Sequence, residues 1–377
     1  NGLKLPNPFV IASGPPGTNA NVIGKAFDEG WGAVICKTVS LDAEKVVNVV
    51  PRYGRLRSET SGEIYGWENI ELISDRSFDV WIDEFKALKD AYPERVLIAS
   101  IMEEYRQEAW VEIIERCQAA GVDGLELNFS CPHGLPERRM GSAMGENPEI
   151  LEEVCQWVSE TARVPVWAKM TPNVTRIEDP SRVALGAGCD GISAINTIRS
   201  VISINLDTLR PEPSVEGYST PGGYSCLAVR PIALRMCMEI AGVIRDEYPR
   251  RSLSGIGGVE TGQHAAEFIL LGCDTVQVCT GVMKMGYRIV HAMIEQLAAF
   301  MEKHGFSTVA EFKGASLPYF TSHSDLVHRQ AQARADAKAR LEAEREPAAA
   351  GPEKVVSADH QWSGDAFVEQ SDALSRG

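Results

Sequence analysis

The sequence predicts an α/β fold: a (β/α)8 TIM barrel with two long βα-loop insertions and a C-terminal helical and flexible extension. Three observations predict it. Eight short apolar runs alternate with amphipathic stretches between Phe9 and His304. Several of these stretches end in Gly just before the next run, and Gly accepts the left-handed conformation that closes a helix. Polar residues collect at the C-terminal ends of the runs, where a barrel carries its active site.

Phe9–Ser13 is the first strand. It leads into Ser13-Gly14-Pro15-Pro16-Gly17, without the G-x-G-x-x-G turn that an open doubly wound sheet would place there, and no G-x-x-x-x-G-K loop occurs either. The barrel is therefore preferred over that sheet. The helical stretch Asn21–Glu29 stops at Gly30, and the second strand, Ala33–Thr38, ends in Lys37-Thr38. An insertion follows from Leu41 to Asp75. Val96–Ile101 is the third strand, Trp110–Ala120 a helix stopped at Gly121, and Gly124–Phe129 the fourth strand. The fourth delivers Asn128, Ser130 and Cys131 to a loop, and Pro132 ends it. After the helix Pro148–Thr161, the fifth strand Pro165–Met170 carries Lys169. Beyond the stop at Ala187-Gly188, the sixth, Gly191–Asn196, ends in Asn196-Thr197, and a second insertion runs from Arg199 to Tyr224. Helix Arg230–Asp246 leads to the seventh strand, Ser252–Ile256, which runs into Gly257-Gly258. Helix Gly262–Leu271, with its stop at Gly272, leads to the eighth, Thr275–Cys279, which runs into Thr280-Gly281, and Tyr287–His304 closes the series. Residues 1–305 are thus read as the barrel and 306–377 as the extension, with a charged, Ala-rich helix over Arg329–Arg345 and a break at Pro347–Pro352. Both insertions follow strands, so both belong at the catalytic mouth, and loops of that length are usually functional or disordered.

A net charge of -15 argues against a nucleic-acid groove, and no stretch is long and apolar enough to cross a bilayer. The nine Cys form no Cys-x-x-Cys pair, so reduced thiols in a reducing soluble compartment are expected, with no iron–sulfur or zinc spacing and no metal. The chain begins at Asn1 and not at Met, so any targeting segment is expected to have been removed, and the sequence is silent on organelle.

Gly257-Gly258 and Thr280-Gly281 fall after strands seven and eight, the standard phosphate position of barrels, so a phosphate-bearing cofactor is the first inference. Gly-Gly turns also arise for steric reasons alone. Lys169 follows from the cofactor, as a buried cation that would stabilise an anionic reduced flavin; its plainer reading is an ion-pair partner. Asn69, Asn128 and Asn196, with Thr197, offer uncharged donors and acceptors that match the alternating N–H and C=O of a pyrimidine, although an Asn more often caps a turn. Cys131 would act as a general acid, protonated at neutral pH with an unperturbed pKa of about 8.5. Alone, it reads more readily as a buried structural thiol.

These residues bring a family into view. The chain resembles the FMN-containing barrel domain of dihydropyrimidine dehydrogenases and, more distantly, the class 1 dihydroorotate dehydrogenases. Matching stretches include Asn7-Pro8-Phe9, Gly30-Trp31-Gly32, Lys37-Thr38, Asn69-Ile70-Glu71-Leu72-Ile73-Ser74, Ala99-Ser100-Ile101-Met102 and Asn128-Phe129-Ser130-Cys131-Pro132-His133-Gly134. Others are Ala168-Lys169-Met170-Thr171-Pro172-Asn173, Asn196-Thr197, Arg230-Pro231-Ile232-Ala233-Leu234-Arg235 and Gly257-Gly258. Arg210-Pro211-Glu212-Pro213, the run from Gly217 to Tyr224 and the ending Trp362-Ser363-Gly364-Asp365 look most like the plant and algal form.

The resemblance implies reduction of the C5=C6 bond of uracil and thymine, with NADPH as ultimate donor. Hydride would pass from flavin N5 to C6, and a proton from Cys131 to C5 on the other face. It implies substrate binding by Asn69, Glu71, Asn128, Phe129, Ser130, Asn196 and Thr197. It implies FMN contacts from Ser13, Lys37, Thr38, Lys169, Gly257, Gly258, Cys279 and Thr280, and a mobile lid carrying Glu137-Arg138-Arg139. A plastid location and a homodimer are expected on the same ground. Departures matter. The dihydroorotate branch usually has Asn after the Cys-Pro pair, where this chain has His133, which favours the pyrimidine branch. A flavin-contacting Gly of the animal enzyme corresponds to Cys226. The FAD and iron–sulfur domains of the animal enzyme have no counterpart here, so electrons must come from a partner protein or directly from NADPH. Two alternatives stand beside this reading: a dihydroorotate oxidase, which needs a cation for the substrate carboxylate, and a non-catalytic barrel.

Overall fold

The computed structural model describes residues 1–42, 46–130 and 140–343. Cys131, His133 and the proposed lid residues Glu137, Arg138 and Arg139 lie outside the described residues.

The eight expected strands all form, and they close a parallel barrel. In chain order they are β1 (Phe9–Ile11), β2 (Ala33–Ile35), β5 (Val96–Ile101), β6 (Gly124–Asn128), β7 (Val166–Lys169), β8 (Gly191–Ala194), β13 (Ser252–Ile256) and β14 (Thr275–Val278). Their order around the barrel is β1-β14-β13-β8-β7-β6-β5-β2. The strands read as unbroken apolar runs because both faces are buried. On β1, Phe9 and Ile11 join the layer between strands and helices, while Val10 joins the inner cluster with Ala33, Ile35, Val96 and Ile98. The helices that carry the chain back are α1 (Ala20–Asp28), α3 (Gln107–Ala119), α5 (Pro148–Thr161), α7 (Arg230–Glu247), α8 (Gly262–Leu270) and α10 (Ile289–His304). The stops expected at Gly30, Gly121, Gly188 and Gly272 all have left-handed φ.

Two return helices went unread in the sequence. α2 (Phe78–Ala91) buries Phe78, Trp81, Ile82, Phe85 and Leu88, which share one helical face. α6 (Glu178–Gly186) is short and polar, with Pro180 in its first turn and Gly186 at its end, so its periodicity is weak.

The insertions are not irregular loops. β3 (Tyr53–Arg57) and β4 (Ile64–Asn69) come from the first, and β9 (Ile198–Ser200) and β12 (Gly222–Ser225) from the second. Together they make one antiparallel sheet in the order β3-β4-β12-β9. Glu68 of β4 ties the two insertions together. It is buried and accepts from Ser200 Oγ at 2.7 Å, Ile202 N at 3.1 Å and Gly222 N at 3.2 Å. A separate hairpin pairs β10 (Ser203–Asn205) with β11 (Arg210–Glu212).

The first compact unit runs to Tyr319, fourteen residues beyond the boundary expected at 305. The reason is packing. Phe312 of α11 (Val309–Phe312) is fully buried, Lys313 Nζ pairs with Asp274 at 2.6 Å, and Gly314 N donates to Ile269 O. The second unit starts at Phe320 and contains the exposed, charged helix α12 (His323–Ala343).

Candidate active site

The C-terminal ends of the barrel strands open into one cleft, roofed by the insertion sheet. Ser13, Lys37, Thr38, Asn128, Lys169, Asn196, Thr197, Gly257, Gly258, Cys279 and Thr280 line it from the barrel, and Asn69 and Glu71 from the segment ending the first insertion. Parallel strands all point the same way, which is why residues so far apart in sequence meet here. Two expected site residues differ. Phe129 does not line the cleft; its ring is fully buried, 6.1 Å from that of Trp110, because the residue after Asn128 turns to the helix layer. Ser130 is fully buried and does not line the cleft, but it hydrogen-bonds to the cleft residues Asn128 and Asn196.

A hydrogen-bonded chain sets the amides. Asn128 Nδ2 donates to Thr38 Oγ1 at 2.9 Å, and Thr38 Oγ1 also meets Ser100 Oγ at 2.8 Å and Ser13 Oγ at 3.2 Å. Asn128 Oδ1 accepts from Ser130 N and Oγ, each at 3.2 Å. Asn196 Nδ2 donates to Asn128 Oδ1 and Ser130 Oγ, while its Oδ1 accepts from Thr197 N at 2.7 Å. Asn69 Nδ2 donates to Gly223 O at 3.2 Å. An amide offers two N–H groups and one oxygen. Among the described residues, one N–H each remains on Asn69 and Asn128, the Asn69 oxygen is unused, and the Asn196 oxygen keeps a lone pair. That mixed set suits a neutral lactam.

Each lysine of the cleft is paired with a carboxylate. Glu71 receives Lys37 Nζ at 2.8 Å, Arg52 at 2.8 Å and Tyr53 Oη at 2.9 Å. Burial pushes its carboxyl up, but Lys37, Arg52 and Tyr53 together outweigh burial and hold it below the usual carboxylate range. Lys169 Nζ pairs with Glu126 at 3.1 Å. Cys279 is partly exposed to the cleft, yet desolvation, only partly offset by Lys169 and Lys37, pushes its thiol up to about 11. It is a neutral thiol at physiological pH. Arg52, Tyr53, Trp67 and Glu126 were not singled out in the sequence. The first three lie on or beside insertion strands, and the last sits inside an apolar run.

Four features fit a phosphate-bearing ring cofactor. Gly257 and Gly258 have φ of 144° and 65°, and a Cβ would lie 2.5 Å from Ala233 Cβ at the first and 2.7 Å from Cys226 O at the second. The steric reason for these glycines therefore holds with or without a ligand beside them. No described residue accepts from either backbone N–H, so both are available to an anion. Two lysines supply cations. Two buried polar atoms of cleft residues lack partners, Trp67 Nε1 and Gln277 Oε1, one donor and one acceptor. Replacing Trp67 with Phe is expected to keep the fold and to weaken cofactor affinity about fivefold, in line with the roughly 1 kcal/mol of a typical hydrogen bond. Fluorescence titration measures it, and an unchanged Kd would detach Trp67 from the ligand.

A larger cavity, about 730 Å³, lies at the opposite end of the barrel. Its walls mix apolar side chains with hydroxyls and the carboxylates Glu126 and Asp274 and hold no lysine or arginine among the described residues, whereas the mouth gathers the lysines, amides and bare N–H groups, so the mouth is the candidate site. Among the described residues, no cluster of His, Cys, Asp and Glu could hold a metal ion, and no helix is long and apolar enough to cross a membrane.

The family model for dihydroorotate dehydrogenase matches residues 1–301. The chain is 58% identical over 379 residues to the chloroplastic dihydropyrimidine dehydrogenase (NADP(+)) of Arabidopsis thaliana, an alignment covering 99% of this chain and 86% of that one. It is 41% identical over 313 residues to the NAD-dependent dihydropyrimidine dehydrogenase subunit PreA of Escherichia coli (strain K12), covering 83% and 74%. It is 32% identical over 317 residues to the catalytic subunit of dihydroorotate dehydrogenase B (NAD(+)) of Pyrococcus abyssi, covering 84% and 97%.

Proposed function

The chain belongs to the dihydroorotate dehydrogenase family, and on that premise we propose that it is an FMN-dependent dihydropyrimidine dehydrogenase that reduces the C5=C6 bond of uracil and thymine, with NADPH as ultimate donor. The observation that carries the choice of substrate is the pairing of the cleft lysines. The charged residues lining the cleft are Lys37, Glu71 and Lys169, and both lysines are already paired with buried carboxylates. A carboxylate substrate such as dihydroorotate finds no free cation among the described residues. An uncharged pyrimidine finds the amide set.

Gly257, Gly258 and Thr280 would hold the FMN phosphate, and Lys37, Lys169, Ser13, Thr38 and Cys279 would surround the rest of the group. When bound, the flavin supplies the hydride equivalent for C6. Asn69, Asn128, Asn196 and Thr197 bind and orient the pyrimidine through its N–H and C=O groups. Ser130 is pinned by Asn128 and Asn196, and from it the chain enters Cys131, the proposed proton donor to C5. Replacing Asn196 by Ala takes one donor from Ser130 Oγ and one from the Asn128 oxygen, and leaves one substrate group without a partner. Uracil Kd is expected to rise by a factor corresponding to about 1–3 kcal/mol, measured by the perturbation of the flavin spectrum.

The test is anaerobic reduction of the purified chain by NADPH and by NADH, followed in the flavin band, with uracil and dihydroorotate compared as substrates. Reduction by NADPH alone shows direct transfer, and reduction only with an added protein shows a donor partner. A colourless protein that takes up no FMN, or faster turnover of dihydroorotate than of uracil, would remove the reading. A plastid location and a homodimer belong to the same proposal, the first on likeness to the chloroplastic relative.

A further inference from the structure

The barrel interior is divided. β1, β2 and β5 point Val10, Ala33, Ile35, Val96 and Ile98 inward. The other side carries Glu126, Ser193, Ser254 and Gln277, all buried. Glu126 Oε1 takes Lys169 Nζ at 3.1 Å, and Glu126 Oε2 accepts from Gln277 Nε2 at 3.0 Å. The same Nε2 lies 3.1 Å from Ser193 Oγ and 3.0 Å from Ser254 Oγ. Turning the Gln277 amide round would set its oxygen against the carboxylate, so the Glu126 charge fixes its orientation. That orientation leaves Gln277 Oε1 without a partner. Lys169 borders the mouth cleft, Glu126 borders the basal cavity, and Gln277 borders both.

We infer that Glu126, held by Gln277, is a positioning residue that fixes Lys169 at the cleft floor and opposes its charge, and so sets how strongly the site stabilises the reduced cofactor. The inference rests on the proposed FMN site. A buried ion pair is weak evidence for stability, since apolar residues of similar volume often do as well. The polar half of an otherwise aliphatic interior therefore has a better explanation in what it does to Lys169. Glu126 Oε1 is the one partner recorded for Lys169 Nζ among the described residues, so two of its three N–H groups remain for the cleft. The carboxylate at 3.1 Å weakens the field those groups project.

The measurement is the midpoint potential of bound FMN. In Glu126→Gln, Lys169 is left unopposed, and the reduced-to-oxidised ratio at a fixed potential is expected to rise about tenfold, about 30 mV for a two-electron couple. Glu126→Asp keeps the charge but draws it back from Lys169; a smaller shift of the same sign is expected, and this variant serves if Glu126→Gln does not fold. In a Lys169→Gln background the same Glu126→Gln change should move the ratio less than about threefold, because the ammonium through which Glu126 acts is then absent. A full tenfold step in that background means that Glu126 acts without Lys169, and the inference falls. A wild-type protein that binds no FMN overturns both this inference and the proposed function. A wild-type protein that binds FMN, with Glu126→Gln and Glu126→Asp at its potential, overturns this inference alone.

Discussion

Replacing Cys131 by Ala is expected to lower uracil turnover by about 100- to 10,000-fold, the range general acids contribute, while FMN and uracil still bind. Reducing a C=C bond requires a proton at one carbon as hydride reaches the other, and the described cleft supplies few groups that can give one. Lys37 and Lys169 are tied to carboxylates, and the asparagines do not titrate. Cys279 carries a proton, but burial pushes its thiol up to about 11, which makes it a reluctant acid near neutrality. A thiol at its ordinary pKa of about 8.5 is protonated at neutral pH and still able to donate. The acid form must be present, so turnover should hold below that pKa and fall as pH rises through it. Stopped-flow reoxidation of the reduced enzyme by uracil isolates this step from electron supply. Undiminished reoxidation in the variant would take Cys131 out of the mechanism.

The barrel was legible because each strand is buried on both faces, which leaves an apolar run long enough to see. The insertion sheet was not. β9 and β12 have only three and four residues, and the pairing of β12 with β4 joins segments about 150 residues apart. The strand-end residues of the cleft could be found from topology alone. Tyr53 and Trp67 could not, since they reach the cleft only through that long-range sheet. Glu126 did carry a signal, a carboxylate inside Gly-Leu-Glu-Leu-Asn, where every other side chain but the terminal Asn is apolar or absent. A charge in a doubly buried strand needs a partner, and Lys169 stands on the neighbouring strand.

The second large effect is expected at Glu71. Replacing it by Ala strips three donors of their acceptor at once and leaves the buried Lys37 unpaired, with Arg52 beside it. Removing one partner of a buried ion pair is strongly destabilising, about 3 kcal/mol at the low end of the usual range, and the low end applies because Arg52 is partly exposed. Urea denaturation at neutral pH measures the loss. Its pH dependence has a fixed sign. The Glu71 carboxyl is held below its ordinary value in the folded chain, so its contribution is complete above the unfolded pKa and disappears as pH falls through the folded one. Wild type and variant should therefore differ most at neutral pH and converge in acid. Substrate choice should change as well. With the carboxylate gone, Lys37 presents unopposed charge to the cleft, so orotate should gain affinity while uracil turnover falls. Glu71→Gln separates the two effects, since it keeps hydrogen-bonding capacity and removes only the charge. If orotate binds neither variant better than wild type, the paired cations are not what keeps carboxylate substrates out, and the preference for a neutral pyrimidine must come from elsewhere in the cleft.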